Sequence, residues 1–396
     1  MLSVGFERST ADPSLYCRHD SNGNWIKLIV YVDDSCYFGN SDETEKQFYN
    51  ELANRFDVDY RGDVHWFLSM RIYRFANGDF MLDQSRFTKN CINKFCDPKS
   101  PWGAPQYQDT PAPTRYVYSK ENAKQEDNKK KISKHYPGLN FISAVCTLLY
   151  LATHIRGDLF WVISKLAKAC KNPSYEDYKC LLHCLGFLRK YGDYGLLYKH
   201  KYQETDVYNI LKEHNIPTTK LVGFTDSSWQ DCPDTGRSTG GYLIFYNGNL
   251  IDANTCMPVP IAMSSAEAEY MSACNLCMKL AHLRMLVYDI ENLGKESFDP
   301  EGRDEETPGV VLIDNQATVT MAKSKKVTCK NRHIRRREHY VRQGQEQKEH
   351  DIHWIPADNQ LADIMTKTQE ASKFLPMFNK LFKKIPDCVE GYKSCN

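Results

Sequence analysis

The chain has 396 residues, with 51 Lys and Arg against 50 Asp and Glu, 41% hydrophobic and 12% aromatic. That length gives room for two or three domains of roughly 100–200 residues each, and the apolar content excludes disorder as the overall state. No run approaches the ~18 apolar residues of a membrane span, and no basic segment followed by an apolar stretch opens the sequence, so a secreted or membrane protein is not expected.

Trp25 to Val32 reads as a strand, followed by Asp33 and Asp34 and a second strand, Ser35 to Gly39. This pattern predicts a hairpin with an acidic tip. Ser41 or Asp42 can cap a helix to about Phe56, with Phe48, Leu52 and Phe56 along one face. Strand signal returns at Phe67–Ile72 and Phe80–Leu82 around an Asn77-Gly78 turn, and a helix from Ser85 to Phe95 follows. Five prolines in the sixteen residues from Pro98 to Pro113, then a charged stretch to His135, predict a linker or surface excursion. Helical periodicity resumes over Phe141–Thr153, Phe160–Cys170 and Tyr175–Tyr191.

The last third alternates strands with helices, which predicts an α/β layer domain. Strands are expected at Leu221–Thr225, Gly240–Phe245, Leu250–Ile251, Val310–Ile313 and Ile352–Ile355. Ser264 opens a long apolar helix to about Asp289, others begin near Asn315 and at Ile334–Gln345, and Asp358 or Asn359 caps one through Lys367. The fifteen cysteines lack finger spacing and a secretory context, which fits free thiols in a reducing compartment. Cys274-x-x-Cys277 falls on apolar helix positions and reads as core more readily than as a redox pair.

Several carboxylates of this last third fall at element ends, where groups from separate elements can converge. Asp226 closes one strand, Asp314 closes another, Glu267 and Glu269 stand in the first turns of the long helix, and Asp363 opens the late helix. Magnesium takes a few carboxylates and keeps several waters. Two such ions about 3.5–4 Å apart can clamp the attacking and leaving oxygens of a phosphodiester. Each acid also has a structural reading: Asp363 complements a helix dipole, Asp314 ends a strand, and Ser264-Ser265-Ala266-Glu267 is a capping box. Glu269 is the freer of the two glutamates, on the same stripe as Ala273, Leu276 and Leu280. Asp33-Asp34 has a turn reading too, although two adjacent acids between apolar strands place like charges where a cation relieves them.

Tyr31-Val32-Asp33-Asp34 resembles the catalytic hairpin of reverse transcriptases. Ala11 to Tyr16 before it and Phe67 to Ile72 after it resemble the Pol polyprotein of copia-type LTR retrotransposons. Ser143-Ala144-Val145, Leu148 to Thr153, Arg156-Gly157-Asp158 and Leu188 to Leu196 are similar to that family's connection region. Thr225 to Trp229, Arg237 to Tyr242, Ser264 to Tyr270, Asp314-Asn315-Gln316 and Asp358 to Lys367 resemble its ribonuclease H domain. The resemblance implies an α/β (α+β) multidomain chain. It would comprise a partial reverse-transcriptase palm and thumb segment (1–96), a Pro-rich and charged linker (97–136), a helical connection (137–200), a ribonuclease H-like mixed sheet with flanking helices (219–368) and a tail (369–396). Phe374 to Ile385 is expected to form an amphipathic helix docked on the chain's own core.

By the same resemblance Asp226, Glu269, Asp314 and Asp363 are the catalytic metal ligands for two Mg2+ ions, with Mn2+ an expected substitute. The implied reaction is hydrolysis of RNA in RNA–DNA hybrids. Asp33 and Asp34 are implied polymerase ligands. Reverse transcriptases need a third carboxylate on an earlier strand, and only about thirty residues precede the pair, so the polymerase segment is expected to be incomplete. A copia-type acidic residue is absent after Arg332-His333-Ile334, where Arg335-Arg336-Arg337 follow. Between Lys323 and Lys348 stand ten Lys or Arg and two Glu. Lys325, Lys326, Lys330, Arg332, His333, Arg335, Arg336 and Arg337 are the candidate nucleic-acid contacts, read against a merely solvated helix face. The expected partners are an RNA–DNA hybrid, DNA and the remainder of a polyprotein, with no membrane. The expected location is cytoplasmic, in a virus-like particle, or nuclear. The competing reading is a catalytically inactive or domesticated relic that binds nucleic acid.

Overall fold

A computed structural model describes residues 4–257, 261–299, 307–324 and 335–386. Three sheets organise it. The first is antiparallel, in the order Glu7–Arg8, Leu15–His19, Trp25–Tyr31 and Asp34–Gly39. Its apolar face, with Phe6, Ile26 and Leu28 buried, is covered by Phe48 and Leu52 of the helix Asp42–Ala53. Ser41 caps that helix by accepting from the Thr44 N–H at 3.2 Å, as an N-cap serine does. The expected hairpin is present, while the strand Leu15–His19 beside it carried no clear signal because its polar residues Arg18 and His19 break the alternation.

The second sheet joins distant parts of the chain. Trp66–Phe67, Met70–Arg74 and Phe80–Asp83 form a meander, to which Tyr194–Tyr198 and then Lys383–Lys384 add. Its pairing therefore crosses the boundaries suggested by composition. Beneath it pack the helices Ser85–Phe95, Phe141–His154, Phe160–Ala169 and Tyr175–Tyr191, within one large apolar core. The helix Ala371–Leu381 inserts Phe374, Phe378 and Leu381 into the same core, each aromatic contributing about 1.5–3 kcal/mol of burial. Arg156 lies fully buried against Phe187, Phe378 and Phe382, with Asp158 at 2.7 Å and the Tyr191 carbonyl at 2.7 Å satisfying its guanidinium.

The Pro-rich stretch is ordered over this core. Ala112 and Tyr116 are buried, and the Tyr116 hydroxyl donates to Asp177 Oδ1 at 2.6 Å. Gly186 is required beneath it, because a Cβ there would lie 2.0 Å from the Gln106 carbonyl oxygen.

The third sheet is mixed, in the order Asn249–Cys256, Thr239–Tyr246, Leu221–Ser228, Gly309–Ile313 and His350–Trp354. The first two junctions are antiparallel and the last two parallel. Gly309–Ile313 is buried throughout, as its wholly apolar sequence implies for a strand covered on both faces. The helix Ser265–Asn292 covers one face with Leu276, Leu280 and Leu283, and Gln316–Lys323 and Arg335–Glu346 follow. No long late helix forms. The segment expected to be helical to Lys367 is two 3₁₀ turns, Ala357–Asn359 and Leu361–Met365, separated by Gln360 in extended conformation (φ −77°, ψ 93°), whose side chain caps the second turn by accepting from Ala362 N–H at 3.2 Å. The first sheet docks on the far end of the long helix, where Ser9 Oγ donates to Asp289 Oδ2 at 2.7 Å in a buried contact. No helix among the described residues is long and apolar enough to cross a membrane.

Candidate metal centre

The parallel register brings two of the acids side by side. Leu312 pairs with Phe224, so Asp314 and Asp226, two residues further along each chain, project to the same face at the same level. Gly241 pairs with Asp226 from the other side. A Cβ on Gly241 would stand 2.5 Å from that of Met365, so this glycine lets the Leu361–Met365 turn close over the strand and deliver Asp363. Gln360 Nε2 ties that turn down by donating to the Thr225 carbonyl at 2.9 Å.

Ligand oxygens of Asp226, Asp314 and Asp363 lie within 4.8 Å of one another, and this is the one such group of three or more potential ligands among the described residues. Glu269 borders the trio without joining it at that distance. It is 6% exposed, on the second turn of the long helix, and its Oε2 is buried with no hydrogen-bond partner. Glu267 is occupied elsewhere: Ser264 Oγ accepts from Glu267 N–H at 3.3 Å, the capping half of the expected box, while Glu267 Oε2 accepts from the N–H of Met263, the residue before the N-cap, at 2.7 Å.

The electrostatics follow from burial of like charges. Desolvation, then Asp226 and Asp314, push the Glu269 carboxyl up to about 10, against an opposing pull from Lys367. Burial and Asp226 raise Asp363 to about 7, and burial with Asp226 also raises Asp314. Such a cluster is costly without a cation.

Lys367 supplies part of that charge and carried no signal in the sequence beyond its place four residues after Asp363. Its ammonium stands 2.8 Å from Asp363 Oδ1 and 3.5 Å from Asp226 Oδ2. Burial works to lower its pKa, but Asp226 and Asp363 outweigh that and hold it above the ordinary range. Thr366 Oγ1 donates to Asp226 Oδ2, and Gln369 Nε2 donates to Asp363 Oδ2 at 3.2 Å. Ser272 Oγ bridges Thr225 Oγ1 at 2.8 Å and the Asp226 carbonyl at 3.0 Å, fixing the strand under the helix.

Residues 1–98 match the family described as reverse transcriptase (RNA-dependent DNA polymerase). Over 390 residues the chain is 24% identical to the retrovirus-related Pol polyprotein from transposon RE2 of Arabidopsis thaliana, covering 98% of this chain and 24% of that protein. Over 379 residues it is 23% identical to the corresponding polyprotein from transposon TNT 1-94 of Nicotiana tabacum, covering 94% and 26%. The chain is related to the copia-type retrotransposon Pol polyproteins over most of its length. It spans about a quarter of the length of these relatives. Among solved structures it is similar to RNase H1 of the archaeon Halobacterium salinarum NRC-1, at 13% identity, 37% of this chain, 95% of that one and a TM-score of 0.27.

Within the matched 1–98 segment, Asp33 and Asp34 stand apart from the cluster. Both are exposed at the tip of the first sheet, after Val32 with its positive φ of 52°. Of the candidate cationic contacts, Lys325, Lys326, Lys330, Arg332 and His333 lie outside the described residues, as does the side chain of Arg335. Arg336 is exposed. Arg337 is half-buried, and its charge lowers the thiol pKa of both Cys256 and Cys274, which burial raises.

Proposed function

We propose that the chain cleaves the RNA strand of RNA–DNA hybrids by metal-dependent hydrolysis at the Asp226, Glu269, Asp314 and Asp363 cluster. The observation that carries this reading is the convergence of three carboxylates from three separate elements, with a fourth buried beside them bearing an unpartnered oxygen. The donor set is all hard oxygen, which suits Mg2+ or Mn2+. Asp226, Asp314 and Asp363 would hold the ions, and Glu269 would complete the shell. Bound there, a divalent pair would supply an activated water and charge stabilisation for the leaving oxygen.

The protein's own part is positional. The parallel strands fix Asp226 and Asp314, the Gly241 contact admits Asp363, and the helix buries Glu269 away from bulk water. Lys367 compensates the cluster's charge before any cation arrives. The basic run between Lys323 and Lys348 would draw in the nucleic-acid backbone that these acids repel. Asp33 and Asp34 are assigned a polymerase role only where a further carboxylate is brought to them, since among the described residues they join no acidic group of three.

The test is incubation of the purified chain and of Asp314→Asn with a labelled hybrid and Mg2+ or Mn2+. Cleavage of the RNA strand by the parent, lost in the variant, supports the proposal. An uncut hybrid that both proteins bind equally well selects the non-catalytic nucleic-acid-binding reading instead.

A further inference from the structure

The carboxylate cluster is served unevenly. On one side, Asp226 Oδ2 accepts from Thr366 Oγ1 and faces the Lys367 ammonium at 3.5 Å. Asp363 takes the same ammonium on Oδ1 at 2.8 Å and Gln369 Nε2 on Oδ2 at 3.2 Å. On the other side, Asp314 Oδ1 and Glu269 Oε2 are both buried with no hydrogen-bond partner. Among the described residues Lys367 forms ion pairs with Asp226 and Asp363 and with neither of these two.

The placement of Lys367 differs from that of an ordinary helical ion pair. An exposed i,i+4 pair joins two residues on the surface of one α-helix and contributes little. Here Leu361–Met365 is a 3₁₀ turn that ends at Thr366 (φ −122°), and Lys367 lies beyond it. Its ammonium bridges acids carried by two separate elements. The side chain is 42% exposed, so its stem can swing into solvent without opening the core.

A cation at that position and a divalent ion would compete. Mg2+ binds carboxylate oxygens at about 2.0–2.1 Å, so an ion on both Asp226 Oδ2 and Asp363 Oδ1 would lie within about 5 Å of Nζ as it now stands. At that separation, in a partly buried site, the two positive charges repel. An ion taken by Asp314 and Glu269 instead meets buried acceptors that no donor serves, which are costly to leave unmade.

We propose that Lys367 holds the place of one of the two divalent ions, so that the centre loads in two unequal steps. The first ion goes to the Asp314 and Glu269 side. The second enters between Asp226 and Asp363 only by displacing the ammonium. The inference rests on the metal-centre reading and deepens it: Lys367 is a positioning residue that sets the ion concentration at which the pair is complete.

The test measures Mn2+ binding to the full chain without nucleic acid, at one fixed pH, with free Mn2+ read by electron paramagnetic resonance. The parent is expected to bind two ions, the second at least about tenfold more weakly than the first. Lys367→Gln should tighten the second step by about tenfold while leaving the first largely unchanged. Lys367→Arg, which keeps the charge and the reach, should keep the two steps apart. In the parent, acetylation of Lys367 by an amine-directed reagent, read by peptide mass spectrometry, should stay slow through the first step and rise several-fold as the second fills. Equal tightening of both steps in Lys367→Gln, a second step that the substitution leaves unchanged, or acetylation that already rises with the first ion overturns the proposal and leaves the metal centre standing. Absence of Mn2+ binding by both the parent and Lys367→Gln removes the metal-centre reading itself.

Discussion

Replacing Glu269 with glutamine isolates the electrostatic cost of the metal centre. In the folded, metal-free chain this carboxyl is pushed up to about 10 from an ordinary 4.5, so at pH 7 it is protonated when folded and ionised when unfolded. A carboxyl with a raised folded pKa makes the folded state bind the extra proton, so stability falls as pH climbs from 4.5 towards 10. At about 1.4 kcal/mol per pH unit, holding that proton costs about 3 kcal/mol at pH 7 and under about 1 kcal/mol at pH 5. Glutamine has the same shape and no charge. Glu269→Gln is therefore expected to stabilise the metal-free chain by about 3 kcal/mol at pH 7, with the gain nearly gone at pH 5. Urea unfolding in chelator at the two pH values measures it. The same variant should lose both hybrid cleavage and the extra stability that Mg2+ confers on the parent. A gain that is equal at both pH values, or a loss of stability at pH 7, would refute the buried like-charge account.

Three further outcomes follow from the geometry. Asp363 is raised to about 7, so Mn2+ affinity measured by calorimetry should fall by up to about tenfold per pH unit below that value, as proton and metal compete for the carboxylate. Gly241→Val would drive a side chain into Met365, whose Cβ already lies 2.5 Å from where a Cβ on residue 241 would be; an overpacking cost of about 1–3 kcal/mol and a roughly hundredfold fall in cleavage rate through displacement of Asp363 are expected from unfolding and single-turnover measurements. Arg156→Met leaves Asp158 buried without its ion pair and should destabilise the chain by about 3–5 kcal/mol, read by denaturation.

Much of this architecture is legible in local sequence. The helices Ser85–Phe95 and Tyr175–Tyr191 follow their apolar spacing, and the wholly apolar Gly309–Ile313 forms the buried strand its composition implies. Asp314 follows its strand as the change from apolar residues to Asp implies, whereas Asp226 lies buried within a strand that continues to Ser228 rather than closing it at Thr225. Non-local terms were not visible. Tyr194–Tyr198 becomes a strand because Phe80–Leu82 pairs with it from more than a hundred residues away. The Pro-rich stretch is fixed by distant partners, with the Tyr116 hydroxyl on Asp177 and Lys190 on Asp109. Lys367 shows its role only once the Leu361–Met365 turn replaces the expected helix and points it at Asp226 and Asp363. The looser placement of Glu269 relative to the three aspartates likewise depends on where the long helix rests on the sheet.

The most direct test of the central claim is anomalous diffraction from crystals of the chain soaked in Mn2+. Density is expected between Asp226, Asp314 and Asp363, with Glu269 turned towards it and the Lys367 ammonium displaced from their oxygens. An empty cluster at saturating Mn2+, with Lys367 still bridging Asp226 and Asp363, would contradict the account.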